Sequence, residues 1–282
     1  MAYKSILTVV SAAAQARASI LACADLCAAE NAHLDVLAVG IDRIQMGYSY
    51  IGAEAVLMDA TMERATDEAK INETAARAAL GEPAPGLRWS LESAVVQVGM
   101  LTDLVASHAR FADLVVLPAP YAPESVDGAA VVLEAALFNA RTPVLVVPAG
   151  SGETVLPPRC IVLAWDQSNE ALTATRLALP LLKAADQVVI TVVDPGAHGA
   201  ERSDPGGLLC QFLVRHGVKA EVSVLAKTLP RIAEVLAREV ADVSADMLVM
   251  GAYGHSRLRE AILGGATRDT LEHSAVPVFL AH

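Results

Sequence analysis

The sequence predicts an α/β protein made of two doubly wound domains in tandem, each with a mostly parallel five-stranded sheet. Its 282 residues suit two domains of about 140 residues each. Short apolar runs of strand length alternate with alanine-rich helical patterns, which is typical of βαβ units with helices on both faces of a sheet. The same order of patterns also occurs twice along the chain.

The repeat begins with two apolar strands, residues 5–11 and 160–166, each followed by a polar turn and an alanine-rich helix. A second strand follows each helix, and each half ends in a short apolar strand that begins with proline. Four pairs of segments correspond between the halves: helices 14–30 and 169–184, then strands 34–39 and 187–193, 112–117 and 245–250, and 143–147 and 277–281.

The remaining elements complete both domains. Pro230 is expected in the first turn of its helix, where proline is favoured. The predicted organisation is a domain at 1–148, a linker at 149–158 rich in Gly, Ser and Pro, and a domain at 159–282. Further helices are predicted at 53–80, 99–110, 208–216, 230–243 and 266–274, and further strands at 87–92 and 220–225.

Composition and charge exclude several classes of function. Hydrophobic residues make up 54% and aromatic residues 4%, and the formal net charge is −11. A strongly acidic surface disfavours nucleic acid and anionic lipid as partners. No apolar run approaches the ~20 residues of a membrane helix. The N-terminal segment loosely imitates a signal peptide, but the same pattern recurs inside the chain, so we expect a cytoplasmic protein.

The cysteines and histidines give little indication of a metal site. Cys23 and Cys27 are four residues apart on a predicted helix and could share a metal, but no histidine lies near them in sequence. Buried free thiols in a reducing cytoplasm are the favoured interpretation. The histidines lack metal-binding spacing, so no metal site is predicted.

A glycine-rich segment after the strand at 245–250 is the strongest candidate for chemistry. Gly251 and Gly254 begin it, at the carboxyl end of a parallel strand, where open α/β sheets bind ligands. Gly264 and Gly265 then lead into a helix, whose first N–H groups can bind an anion. Thr267 adds a hydroxyl, and Arg257 and Arg268 are nearby cations. An ordinary turn with a helix cap remains the alternative interpretation.

The spacing G-x2-G-x9-G, formed by Gly251, Gly254 and Gly264, resembles the nucleotide motif of the universal stress protein A family. That resemblance extends over the whole chain, as two family domains in tandem with an adenine-nucleotide α-hydrolase-like or Rossmann-like fold. It implies a stress-response regulator that binds an adenine nucleotide, most simply ATP, with Mg²⁺ as an option. The implied nucleotide-binding residues are Ala164, Asp166, Val192, Gly251, Gly254, His255, Arg257, Gly264, Gly265, Ala266 and Thr267.

The individual roles follow from the resemblance. Asp166 matches the acidic residue near the ribose, Ala164 lines the same pocket, and the backbone of Val192 matches the position that holds the adenine edge. A carboxylate just after a parallel strand can accept hydrogen bonds from ribose hydroxyls. Asp166 is equally suited to a helix cap or turn, because it begins the segment Asp-Gln-Ser-Asn.

Two departures from the family pattern affect the prediction. Gly265 stands where the family has Ser or Thr, so one hydroxyl donor to phosphate is lost, although glycine also permits closer phosphate approach. The first half has Ser11, Pro118 and Tyr121 where the second has Asp166, Gly251 and Gly254. We therefore predict no nucleotide in the N-terminal domain.

No catalytic residues are predicted, although slow ATP hydrolysis stays open. The adjacent His255 and Ser256 lack an orienting acid. The alternative function is a nucleotide-independent interaction module of the stress response, and an enzyme of the wider adenine-nucleotide α-hydrolase or flavoprotein group is a third. In the resembled family, last strands pair across a dimer interface. A tandem chain can make this pairing internally, as a pseudo-dimer, and further homodimerisation is an additional hypothesis.

Overall fold

A computed structural model of the chain describes residues 2–43, 54–82, 86–121, 127–148, 156–196, 203–252 and 265–282. Residues 54–58 are described by their backbone alone. The contacts divide the chain into two compact units, Tyr3–Thr142 and, with the first two residues, Pro143–His282. Each unit is an α/β sheet with helices between its strands, as the sequence predicted.

The first unit contains four parallel strands in the order β3, β2, β1, β4. Its central strand β1 is almost wholly buried, because it consists of apolar residues that helices cover. The elements are β1 Ser5–Val10, α1 Ala13–Glu30, β2 His33–Asp42, α2 Glu54–Leu80, β3 Arg88–Gln97, α3 Leu101–Ala109, β4 Leu114–Pro118 and α4 Ala129–Glu134.

A buried amide fixes helix α2 on this sheet. Asn72 is 2% exposed, and its Nδ2 donates a hydrogen bond of 2.8 Å to the carbonyl oxygen of Val39. Glu68, one turn earlier, accepts the backbone N–H of Ile41 at 3.0 Å. Side chains of α2 therefore engage the backbone of the carboxyl-terminal half of β2.

The second unit contains six strands in the order β5, β10, β9, β6, β7, β8. All neighbours are parallel except β5 and β10. The elements are β5 Val144–Val147, β6 Cys160–Ala164, α5 Asn169–Leu177, α6 Leu179–Ala184, β7 Gln187–Val193, α7 Gly207–Arg215, β8 Ala220–Leu225, α8 Ile232–Asp242, β9 Met247–Gly251, α9 Gly265–His273 and β10 Val278–Ala281.

The last strands of the two sequence repeats, β5 and β10, pair with each other. β5 and β10 run antiparallel, with Leu145 opposite Phe279, and both strands are fully buried. The expected internal pairing of these two strands is therefore present. By contacts β5 belongs with the second unit, and each sequence repeat contributes five strands, β1–β5 and β6–β10, as predicted. The linker predicted at 149–158 lies largely outside the described residues.

Two helix predictions need correction. The helix expected over 169–184 is divided at Ala178, because Pro180 has no N–H to donate within a continuous helix. The helix expected from Pro230 begins at Ile232, so Pro230 precedes the helix and is not in its first turn. In the part of the chain that the structure describes, no helix has the length and apolarity to cross a membrane.

Candidate functional site

The candidate site lies at the carboxyl edge of three neighbouring strands. β6 occupies the centre of the second unit, with β9 on one side and β7 on the other. The chain extends from β6 to β7 and β8, then returns to β9 on the opposite side. The order of the strands therefore reverses between β6 and β9, and such switch points form the ligand crevices of open α/β sheets.

Asp166 follows the central strand at this edge. Ala164, the last residue of β6, is half-buried, and Asp166, two residues later, is exposed. Its Oδ1 accepts the backbone N–H of Ser168 at 3.0 Å. This is the turn interaction that the sequence offered as an alternative role, and it leaves the carboxylate on the surface at the switch point.

The cap of helix α5 is Ser168, not Asp166. The hydroxyl of Ser168 accepts the backbone N–H of Ala171 at 3.1 Å. The segment Asp-Gln-Ser-Asn contains several residue types that cap helices, and the sequence-based prediction named Asp166 as a possible cap. The spacing identifies Ser168, since it directly precedes the first helical residue, Asn169.

Val192 lies in β7, next to β6. Its side chain is 3% exposed and faces Gly206, where an added Cβ would lie 3.3 Å from Val192 Cγ2. The backbone of the preceding residue, Thr191, accepts the N–H of Trp165 at 2.9 Å. This bond continues the pairing of β6 and β7 just beyond Ala164, so Val192 and Asp166 lie at the same edge of the sheet.

Gly251 ends β9 and accommodates a close approach by helix α5. A Cβ atom at Gly251 would lie 2.5 Å from the backbone nitrogen of Ala171 and 2.7 Å from the carbonyl carbon of Glu170. Real Cβ contacts are longer, so a side chain at this position would push the start of α5 away from the sheet. The sequence indicated Gly251 as part of a candidate ligand-binding loop and did not reveal this packing role.

Helix α9 begins at Gly265, close in sequence to this edge. Gly265 and Ala266 are exposed, whereas Thr267 is 4% exposed. The first turn of α9 contains no acidic residue, so no nearby carboxylate of that turn repels an anion from its N–H groups. Arg268, one of the cations expected near phosphate, donates from Nε to Glu272 Oε1 at 2.7 Å. Its guanidinium is therefore held in an ion pair within α9.

The middle of the predicted glycine-rich loop lies outside the described residues. It contains Gly254, His255, Arg257 and Gly264, whose roles stay predictions. The structure brings Ala164, Asp166, Val192 and Gly251 to neighbouring strand ends, and it places Gly265, Ala266 and Thr267 in the first turn of α9.

At the corresponding edge of the first unit, the described strand-end residues Ser11 and Ala119 are buried. Ser11, which stands where Asp166 would be, is 8% exposed. Pro118 ends β4 and has no N–H to offer an anion. Ala119, directly after it, is 5% exposed. The side chain of Ala12, the residue before α1, provides no cap.

Among the described titratable groups of the second unit, the carboxyl of Glu234 has a shifted pKa. The guanidinium of Arg231, which precedes α8, hydrogen-bonds to Glu234 and lowers the pKa of that carboxyl. Among the residues that the structure describes, no group of three potential metal ligands occurs.

The chain resembles known proteins in sequence over part of its length. Residues 158–282 match the sequence model of the Universal stress protein family. Universal stress protein Slr1230 from Synechocystis sp. is 35% identical over 68 residues, which are 24% of this chain and 23% of that protein. The match thus spans less than a quarter of the length of this relative.

Solved structures resemble the chain over nearly its whole length. A universal stress protein from Archaeoglobus fulgidus has a TM-score of 0.65 at 16% identity, covering 98% of this chain and 95% of its own. A protein of unknown function from Pseudomonas aeruginosa has a TM-score of 0.54 at 13% identity, covering 99% of this chain and 92% of its own. At these identities the likeness demonstrates a shared fold.

Proposed function

We propose that the C-terminal domain binds an adenine nucleotide, because residues 158–282 match the sequence model of the Universal stress protein family. The preferred ligand is ATP, with Mg²⁺ carried on its phosphate oxygens. The protein would act as a cytoplasmic regulator in the stress response and not as an enzyme. The N-terminal domain would bind no nucleotide.

The observation that carries the proposal is the set of groups at the switch point between β6 and β9. Asp166 supplies an exposed carboxylate on the β6 side, and Gly251 ends the β9 side without a side chain. Ribose hydroxyls are donors that suit a carboxylate. The backbone of Val192 lies one strand further, where the adenine edge would be held.

The phosphates are assigned to helix α9. The N–H groups of Gly265, Ala266 and Thr267 belong to the first turn, and the first four N–H groups of a helix have no partner within it. With nine residues, α9 is long enough to have a dipole whose positive end favours an anion. This local site operates in spite of the net charge of −11, because its donors are backbone groups.

The alternative, a nucleotide-independent interaction module, is favoured by one observation. At the carboxyl edge of the first unit Pro118 has no N–H and the following Ala119 is buried, so the described part of this edge offers no counterpart of Asp166 and Gly251. In this alternative the second domain, like the first, binds no nucleotide. The missing hydroxyl at Gly265 would be one of the changes that removed binding.

Native mass spectrometry of the freshly purified chain tests the proposal. We expect one adenine nucleotide per chain, released on denaturation and identified by its mass. The variant Gly254→Trp, which fills the predicted loop, should purify without it. A ligand-free wild type that also takes up no added adenine nucleotide would favour the interaction module.

A further inference from the structure

A cavity separate from the proposed nucleotide site lies in the second unit, between helices α8 and α9. We call it the α8–α9 groove. Its volume is about 630 Å³, within the range of about 300–1,000 Å³ that is usual for small-molecule sites. Most of its lining is apolar: Ala233, Ala237, Val240, Ala241, Leu248 and Val276.

Alanines on α8 create the groove. Ala233, Ala237 and Ala241 are spaced by four residues, so they lie along one side of the helix. Their small side chains leave space beside α9, and Leu248 of β9, which is 2% exposed, lines the groove below them. Ala237 and Ala241 are exposed, so the groove is accessible from solvent.

The polar side chains around the groove already have partners. Arg231 pairs with Glu234 at 2.7 Å and with Asp269 at 3.8 Å. The hydroxyls of Thr270 and Ser274 donate to the carbonyl oxygens of Ala266 and Val276 at 2.8 and 2.7 Å. A charged ligand would have to break these bonds or remain unpaired, and burying an unpaired charge is costly.

His273 also lines the groove, with its Nδ1 2.8 Å from the carbonyl oxygen of Asp269, and Ser244 offers a ligand a hydroxyl. Ser244 lines the groove just before β9 and is exposed. Among the described residues its hydroxyl has no hydrogen-bond partner. A hydroxyl can meet the head group of an alcohol as donor or acceptor.

We propose that the α8–α9 groove binds an uncharged, elongated hydrophobic molecule of the fatty-alcohol class. Its chain lies along the alanines of α8 over Leu248, and its head reaches Ser244. The site is distinct from the proposed nucleotide site. The groove extends to Ala245 and Val276 at the amino end of β9 and the C-terminal end of α9, whereas the nucleotide groups lie at the opposite, carboxyl end of the strands.

Fluorescence of the uncharged probe N-phenyl-1-naphthylamine tests the proposal on the full chain. Saturable binding is expected, with displacement by 1-dodecanol at a lower concentration than by dodecanoate or dodecyltrimethylammonium. Ala237→Phe should weaken probe binding at least about tenfold, since excluding two methylene groups from an apolar site has an effect of that size. The control is Ala184→Phe, at an exposed alanine of α6 outside the groove, which should bind as wild type does.

Three results would overturn the proposal. The first is equal probe binding by wild type and Ala237→Phe, with circular dichroism showing that both are folded. The second is stronger displacement by a charged amphiphile than by 1-dodecanol. The third is a wild-type dimer that binds no probe and becomes monomeric in Ala237→Phe, which would make the groove an interface between copies of the chain.

Discussion

Gly251 and Ala171 approach so closely that a methyl group on the glycine would lie 2.5 Å from the backbone nitrogen of the alanine. The contact holds the start of helix α5 against the end of β9. Asp166 and the cap Ser168 immediately precede α5. The glycine thus helps to position the carboxylate proposed to meet the ribose, even though the six elements from α5 to α8 separate Asp166 from β9 in the sequence.

Gly251→Ala should destabilise the protein. The new methyl group must push α5 from the sheet, and overpacking of this kind costs about 1–3 kcal/mol. Urea unfolding measures the loss. Gly265→Ala is the matched control, because a Cβ at Gly265 would have no atom within 4 Å and alanine is the better helix former. Equal stability of Gly251→Ala and wild type would show that the close contact does not persist in solution.

Gly265→Ser should bind ATP more tightly than wild type. The serine fits the open space at Gly265 and supplies a hydroxyl at the start of α9. A hydrogen bond to a charged group contributes about 1.5–3 kcal/mol, which corresponds to roughly tenfold or more in affinity. Calorimetry with ATP and Mg²⁺ measures the change, with Gly265→Ala as the control that lacks the hydroxyl. If the serine and alanine variants bind equally, the phosphates do not contact this position.

Asp166→Asn should weaken ATP binding about tenfold while leaving the fold intact. The asparagine oxygen can still accept the N–H of Ser168, but the charged acceptor for ribose is lost. The free energy of unfolding should change by less than about 0.5 kcal/mol, as for most surface substitutions.

Dideoxy-ATP, which lacks both ribose hydroxyls, provides the control for this substitution. Wild type and Asp166→Asn should bind it with equal affinity in calorimetry, because the proposed contact is missing from both complexes. An equal loss of affinity for ATP and dideoxy-ATP would show that Asp166 acts elsewhere, for example only in the turn before α5.

Cys27 should remain unreactive in the folded protein at pH 8. The side chain is 3% exposed, and burial raises the pKa of its thiol to about 12. Because the folded pKa exceeds that of the unfolded chain, the neutral thiol favours the folded state at low pH. That contribution is lost as the pH rises from about 9 toward 12.

Iodoacetamide labelling with mass spectrometry tests this expectation at single residues. Cys160 and Cys210 are half-buried and should be labelled before Cys27 in the native state. In concentrated guanidinium chloride all four cysteines should react. Labelling of native Cys27 at the rate of Cys210 would contradict the burial of this face of α1.

The sequence was sufficient to predict the fold class, because apolar strands and alanine-rich helices alternate with a clear repeat. It was also sufficient to place Asp166 and Gly251 at strand ends. It named Asp166 and not Ser168 as the possible cap of α5, since both residue types cap helices and the choice depends on which residue directly precedes the helix. It could not reveal that Ala171 contacts Gly251, because close packing between distant segments leaves no local pattern.

The extent of individual elements was harder to predict than their presence. Strand β3 was expected over 87–92 and runs over Arg88–Gln97, because its full length pairs with β2. That pairing is a tertiary effect which local propensity does not encode.

Calorimetric titration of the full chain with ATP and Mg²⁺ tests the central claim most directly. The account predicts saturable binding with one nucleotide per chain, located in the C-terminal domain, and lost in Gly254→Trp. Two nucleotides per chain would contradict the assignment of the first domain. The nucleotide site itself would be contradicted if titration with ATP produced no binding heat and no adenine nucleotide competed for binding to the chain.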